Sequence, residues 1–101
     1  MIGRIWIGKV LEINRNEFIE YIKQTGLPGL KETEGNLGVQ ILVKDIETLS
    51  QIMIISFWDS EESIRNFTGT DITKARLYPE DQKYLISMDP VVHYEVVIKD
   101  C

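Results

Sequence analysis

The sequence predicts an α+β domain whose elements run strand, helix, strand, strand, helix, strand, and three observations predict it. From Ile52 to Trp58 the residues are apolar apart from Ser56. Such a run reads as a strand covered on both faces and central in its sheet. At Asp59 and Ser60 the run stops and helical spacing begins, with Ile64 and Phe67 on one face, so the strand turns straight into a helix. Elsewhere the apolar residues alternate with period two at Val39, Ile41 and Val43, and again at Val92, Tyr94, Val96 and Ile98. They recur at helical spacing at Phe18, Ile19 and Ile22.

In chain order, residues 2–11 form the first strand, rich in the strand formers Ile5, Trp6, Ile7, Val10 and Leu11. Arg4, Trp6 and Gly8 share one face, and Ile5, Ile7 and Lys9 the other. Gly3 and Gly8 leave room for a neighbour, a bulge or a ligand. Residues 14–25 form the first helix, with Asn14 as N-cap and Glu17 completing a variant capping box. Gly26, Pro28 and Gly29 interrupt it, and Leu27 and Leu30 anchor a loop or a short extra turn up to Glu34. Gly35, Asn36 and Gly38 mark a turn. Residues 37–44 are the second strand, 45–48 a hairpin loop, and 49–58 the third strand, antiparallel to the second.

Asp59 is expected to cap the second helix, with Glu62 at its third position and two acids in the first turn, where the helix dipole favours them. Gly69 ends it. A further short helix is expected over 71–78. Pro79 suits the first position of another, reaching about Ser87. The last strand is 91–98. This is the ferredoxin-like βαββαβ plan, a four-stranded antiparallel sheet with helices on one face. The opposite face is also apolar and finds no cover in the chain. A second copy placing its own sheet there is the simplest cover, so a homodimer is expected.

The chain has 101 residues, enough for a single domain over 1–101, and with 44% hydrophobic and 27% charged residues it is globular in composition. A net charge of -5 with no basic stripe excludes nucleic acid and an anionic membrane surface as natural partners. Cys101 is the sole cysteine. No intrachain disulfide is possible, a reducing cytoplasm fits, and the thiol reads as an inert terminal residue or an intermolecular link. Arg4 and Lys9 interrupt the apolar N-terminus, so no signal peptide is expected.

RIW at Arg4–Trp6, LPGL at Leu27–Leu30, SFWDSEESIRNF at Ser56–Phe67 and HYEVV at His93–Val97 together resemble the antibiotic-biosynthesis-monooxygenase-like group of the dimeric α/β-barrel superfamily. The resemblance covers nearly the whole chain. It implies a dimer whose two sheets close into a barrel, with a pocket between helices and sheet in each subunit. Members of that group with known activity oxidise polycyclic aromatics without metal or flavin, or degrade haem. The haem-degrading branch uses an asparagine on the first strand, a tryptophan on the second helix and a histidine just after it. This sequence has no Asn in its first strand, Phe67 on the second helix, and no His between Thr68 and Pro90.

Two residues are candidates for chemistry. His93, the only histidine, is the one side chain that titrates near neutrality without perturbation. It reads either as a base at the pocket or as a strand histidine satisfied by Glu95. Arg4 interrupts an apolar strand, so its charge needs a partner. A substrate carboxylate or enolate is one, and an acid such as Glu95 is the structural alternative. Trp6, Phe57, Trp58, Phe67, Tyr78 and Tyr84 are the aromatic residues that either line a pocket or fill the core. No metal set is expected from one His and one terminal Cys, and no cofactor motif is present. The function expected is a small cytoplasmic homodimer that binds a compact, partly aromatic molecule, in the manner of a cofactor-independent monooxygenase. A non-catalytic binding or assembly protein of the same fold is the alternative, and haem binding without the usual triad a third.

Overall fold

The computed structural model describes residues 1–100, so Cys101 lies outside the described residues. The strands are β1 (Ile2–Leu11), β2 (Asn36–Ile46), β3 (Leu49–Trp58), β4 (Leu85–Met88) and β5 (Val92–Glu95). The helices are α1 (Arg15–Gln24), α2 (Gly26–Glu32), α3 (Glu61–Thr68) and the single turn α4 (Asp81–Tyr84). All strand pairs are antiparallel, in the order β2-β3-β1-β4, with β5 also on β1. This is the ferredoxin-like α+β plan, and the sheet of one chain is open.

β3 pairs on both sides, residue for residue with β1 (Ile5 opposite Ile55) and, after a register shift between Asn36 and Gly38, with β2 (Ile41 opposite Ile54). That central position explains its continuous apolar sequence. Its inward set, Ser50, Ile52, Ser56 and Trp58, is buried. The core has two halves. Val10, Phe18, Ile22, Ile52 and Tyr84 make one, and Leu30, Trp58, Ile64 and Phe67 make the other, with Ile54 packed against both. On the outer face Ile5, Ile7, Met53, Ile55 and Phe57 are only half-buried, and Leu42, Val92 and Tyr94 are exposed.

Several local expectations are corrected. The N-cap of α3 is Ser60, whose Oγ accepts the Ser63 N–H, while Asp59 accepts from the Ser60 and Ser63 hydroxyls. Asn14 makes no side-chain cap, because a 3₁₀ turn over Glu12–Asn14 already leads into α1. Residues 26–32 are a full helix: Pro28 falls in its first turn, where its missing N–H costs nothing. Residues 71–78 do not form a helix. Asp71 Oδ1 accepts both the N–H and the hydroxyl of Thr73, a local turn that competes with helix, and Pro79 disfavours helical backbone just before it.

The largest correction is to the fourth strand. Residues 85–88, read as the end of a helix, are strand β4, pairing Gly8–Val10, while β5 pairs Ile2–Ile5. The fourth position of the sheet is therefore filled by two short strands. Pro90, which has no N–H to donate, sits in the break between them. Asp89 N–H still reaches the Ile7 carbonyl at 2.9 Å, so the edge of β1 stays paired across the gap. Among the described residues no helix is long and apolar enough to cross a membrane.

Candidate functional site

A cavity of about 60 Å³ lies between helices and sheet, at the seam between the two halves of the core. Its sheet side is Arg4, Trp6, Ile54 and Ser56, and its helix side Phe18, Ile22, Leu30 and Phe67. The irregular segment after α3 closes it with Arg76 and Tyr78, and the first residue of α4 adds Asp81. Most of this wall is apolar, and its polar groups are few.

Arg4 is the buried cation of the wall, 3% exposed. Strand alternation puts it on the helix side with Trp6, and Gly8 leaves the space in which the Trp6 ring and Leu85 lie. Arg4 Nη1 donates to the Ile72 carbonyl and to His93 Nε2, and Nη2 donates to the Lys74 carbonyl. Nε and the second Nη2 hydrogen have no acceptor among the described residues. Burial pushes the Arg4 pKa down to about 10, so it remains charged at neutral pH. The structural pair with Glu95 does not form. Glu95 stands opposite Ile2 and is exposed, and it is His93 that stands opposite Arg4.

His93 accepts from Arg4 Nη1 at 2.9 Å, which makes it neutral with its proton on Nδ1. Burial and then the Arg4 charge hold its pKa below the ordinary value, with Glu61 opposing weakly. It backs Arg4 and is not part of the cavity wall.

Asp81 is a buried carboxylate, 7% exposed, on the same wall. Its Oδ2 accepts the Tyr78 N–H at 2.7 Å. Oδ1 has no partner among the described residues, and no cation pairs with the group. Burial pushes its pKa up, against the single backbone hydrogen bond. The Tyr78 hydroxyl is buried with no hydrogen-bond partner and packs on Gly29, where a Cβ would clash with it. Burial raises its pKa, with Arg76 opposing and Asp81 reinforcing. Arg76, more exposed, stacks over the rings of Phe67 and Tyr78, 5.0 and 5.4 Å from their centroids, and donates to the Phe67 carbonyl.

Of the residues singled out in the sequence, Arg4, Trp6, Phe67 and Tyr78 meet on this wall. Trp58 and Tyr84 do not. Trp58 is fully buried in one half of the core, its Nε1 donating to Ser56 Oγ. Tyr84 sits in the other, its hydroxyl donating to Glu17. Phe57 faces outward under Lys99. Asp81 and Arg76 went unnoticed in the sequence. Asp81 follows Pro79 by two residues and reads as a solvated acid in a helix's first turn. Nothing in the local spacing marks Arg76.

The charge arrangement is selective. Of the four arginines, Arg15 and Arg65 are in surface ion pairs. Arg4 and Arg76 have no carboxylate partner among the described residues, and both line the cavity. Among the described residues no three metal-ligating side chains come together.

A ferredoxin-like sheet with helices on one face and a mostly apolar cavity between them defines a small α+β protein of the helix–sheet pocket class. The antibiotic biosynthesis monooxygenase family model matches residues 9–76, and the chain belongs to that family. Among solved structures it is similar to a Bacillus cereus protein described as a candidate antibiotic biosynthesis monooxygenase. The identity is 19% and the TM-score 0.69, over 99% of this chain and 96% of that one. It is also similar to the haem degrader MhuD from Mycobacterium tuberculosis, solved with two haems in its active site, at 15% identity and TM-score 0.70 over 100% of both chains. A NIPSNAP domain protein from Burkholderia xenovorans matches at 15% identity and TM-score 0.68, over 99% of this chain and 100% of that one. At these identities the likeness is one of fold. No curated protein matches the sequence.

Proposed function

We propose that this chain binds a compact aromatic anion in the helix–sheet cavity, and does so as a homodimer joined through the outer face of the sheet. The observation that carries the reading is Arg4, a buried guanidinium on a mostly apolar wall, hydrogen-bonded to two carbonyls and to neutral His93 and paired with no carboxylate. A buried charge calls for a counter-charge, and a ligand carboxylate, phenolate or enolate supplies one. The partnerless Tyr78 hydroxyl and the unpaired Arg76 support the same occupant. The exposed apolar residues of the outer face support the dimer.

The reaction that suits such a site is cofactor-independent monooxygenation. A carbon acid loses a proton and its carbanion reduces dioxygen. One oxygen atom becomes a carbonyl on that carbon and the other leaves as water. Arg4 would hold the developing oxyanion, and His93 would hold Arg4. Haem does not suit this cavity. His93, the only histidine, has its Nε2 engaged by Arg4 rather than free to ligate iron. The small volume and the place of His93 also favour a second reading, a non-catalytic binder of the same fold. Intact binding of an enolisable one-ring carbon acid with no oxygen uptake would select it.

Calorimetric titration with 4-nitrophenolate tests the main reading. The wild type should bind, and Arg4→Gln should weaken binding by about 10- to 100-fold, the worth of one charge-assisted hydrogen bond. Equal affinity in both proteins, or equal affinity for neutral nitrobenzene, would refute it.

A further inference from the structure

We propose that Asp81 is the proton acceptor of this cavity, and that the ligand is a compact phenol or enol whose conjugate base Arg4 holds. The inference rests on the anion-binding reading above and adds the acid–base partner and the class of ligand. Asp81 and Arg4 line the same cavity, and neither has a counter-charge from the protein. One carboxylate oxygen is fixed by the Tyr78 N–H, and the other, Oδ1, is left without a partner. A carboxylate on the cavity wall with one oxygen unused by the protein has the capacity to take a proton.

The surroundings keep the role with Asp81. The other ionisable groups of the wall are Arg4, Arg76 and Tyr78. On α1, Tyr21 takes the Glu80 N–H and Glu17 takes the Tyr84 hydroxyl, so both are already engaged. His93 Nε2 is held by Arg4. Burial raises the affinity of Asp81 for a proton, which brings it nearer to that of a weakly acidic phenol or enol. In the transfer the ligand O–H bond (or, for a keto tautomer, the C–H bond) breaks and the proton bonds to Asp81 Oδ1. The electron pair passes to the ligand oxygen beside Arg4. Nothing is oxidised or reduced.

The charge count makes the test specific. An anion entering beside an ionised Asp81 must bring a proton with it, so that the carboxyl becomes neutral. Calorimetric titration of 4-nitrophenolate in buffers of different ionisation enthalpy counts those protons. At an alkaline pH, where the free probe is wholly phenolate, the wild type should take up close to one proton per probe bound. Asp81→Asn, a neutral isostere that keeps the oxygen for the Tyr78 N–H, should bind the phenolate with no uptake. Its affinity should rise as the pH is raised relative to that of the wild type. Tight binding without proton uptake by the wild type, or the same uptake by the variant, overturns Asp81 while leaving the anion pocket standing. No binding by either protein overturns the pocket reading, and Asp81 with it.

Discussion

Replacing Arg4 by Met tests whether this side chain belongs to the fold or to the ligand. The guanidinium donates to the Ile72 and Lys74 carbonyls and to His93. Lys74 is exposed, so its carbonyl regains water. The Ile72 carbonyl and His93, half-buried, lose a partner at about 1–3 kcal/mol each. Against that, Arg4 is charged where burial has pushed its pKa down to about 10, a desolvation cost of about 3 kcal/mol that Met does not carry. At mid-range the two stranded partners cost about 4 kcal/mol against the roughly 3 regained, so Arg4→Met should lower stability by about 1 kcal/mol, or about 4–8 °C in Tm for a domain of this size. Urea melts with an unchanged m-value would read it. A loss of about 3–5 kcal/mol, the usual result of stranding one member of a buried ion pair, would refute the reasoning. It would mean that an acid of the protein itself neutralises Arg4.

His93 gives a pH dependence of fixed sign. Its folded pKa is held below the ordinary 6.5 by burial and by Arg4, so the unfolded chain binds more protons there. Its contribution is complete above pH 6.5 and is lost as the pH falls; His93→Gln should flatten that loss in urea midpoints taken on either side, and an equal acid slope in both proteins would count against it. Asp81 has the opposite sign. Burial raises its pKa, so stability is complete below the ordinary carboxylate range and falls as the pH rises through the folded pKa. Asp81→Asn should therefore equal or exceed the wild type in thermal stability at neutral pH, and a clear drop would show that the carboxylate is structural. Ile55→Lys puts a charge at the middle of the outer sheet face, opposite Ile5. It should leave far-UV circular dichroism unchanged and convert a dimer to a monomer in sedimentation velocity; an unchanged sedimentation coefficient would remove that face from the interface.

The strand–corner–helix unit was legible because its hydrophobic patterns agree. The apolar run of β3 and the inward pair Ile64 and Phe67 point to one structure, and only the cap moved, from Asp59 to Ser60. The stretch from Gly69 to Met88 was not. Its structure depends on Asp71 turning the chain locally and on the edge of β1 needing a partner at Gly8–Val10, and that demand lies about 75 residues away in sequence. Of the cavity wall, Arg76, Leu77, Tyr78 and Asp81 belong to this stretch, and Asp81 and Arg76 were missed there while Tyr78, and elsewhere Arg4, Trp6 and Phe67, were found. The pairing of Arg4 with His93 is a matter of register between β1 and β5. Alternation had put His93 and Glu95 on one face and could not say which of them would meet Arg4.

Arg15 Nε and Asn36 Nδ2 are buried without partners elsewhere, but three breaches of ordinary burial rules meet in one place. A cation 3% exposed has no acid, an acid 7% exposed has no cation, and a tyrosine hydroxyl is buried without a partner. All three lie on one cavity of an acidic chain, in which 16 acids stand against 11 Lys and Arg. If fold alone mattered, Arg4 and Asp81 could have been paired with each other or replaced by apolar residues of similar volume, at little cost or with some gain. Neither has happened, although the two side chains line the same space. Keeping them apart and unneutralised is what a site needs if a third group is to enter between them, taking hydrogen bonds from one and giving a proton to the other. The stabilities of Arg4→Met and Asp81→Asn, measured without any ligand, therefore bear on function as directly as a binding assay does.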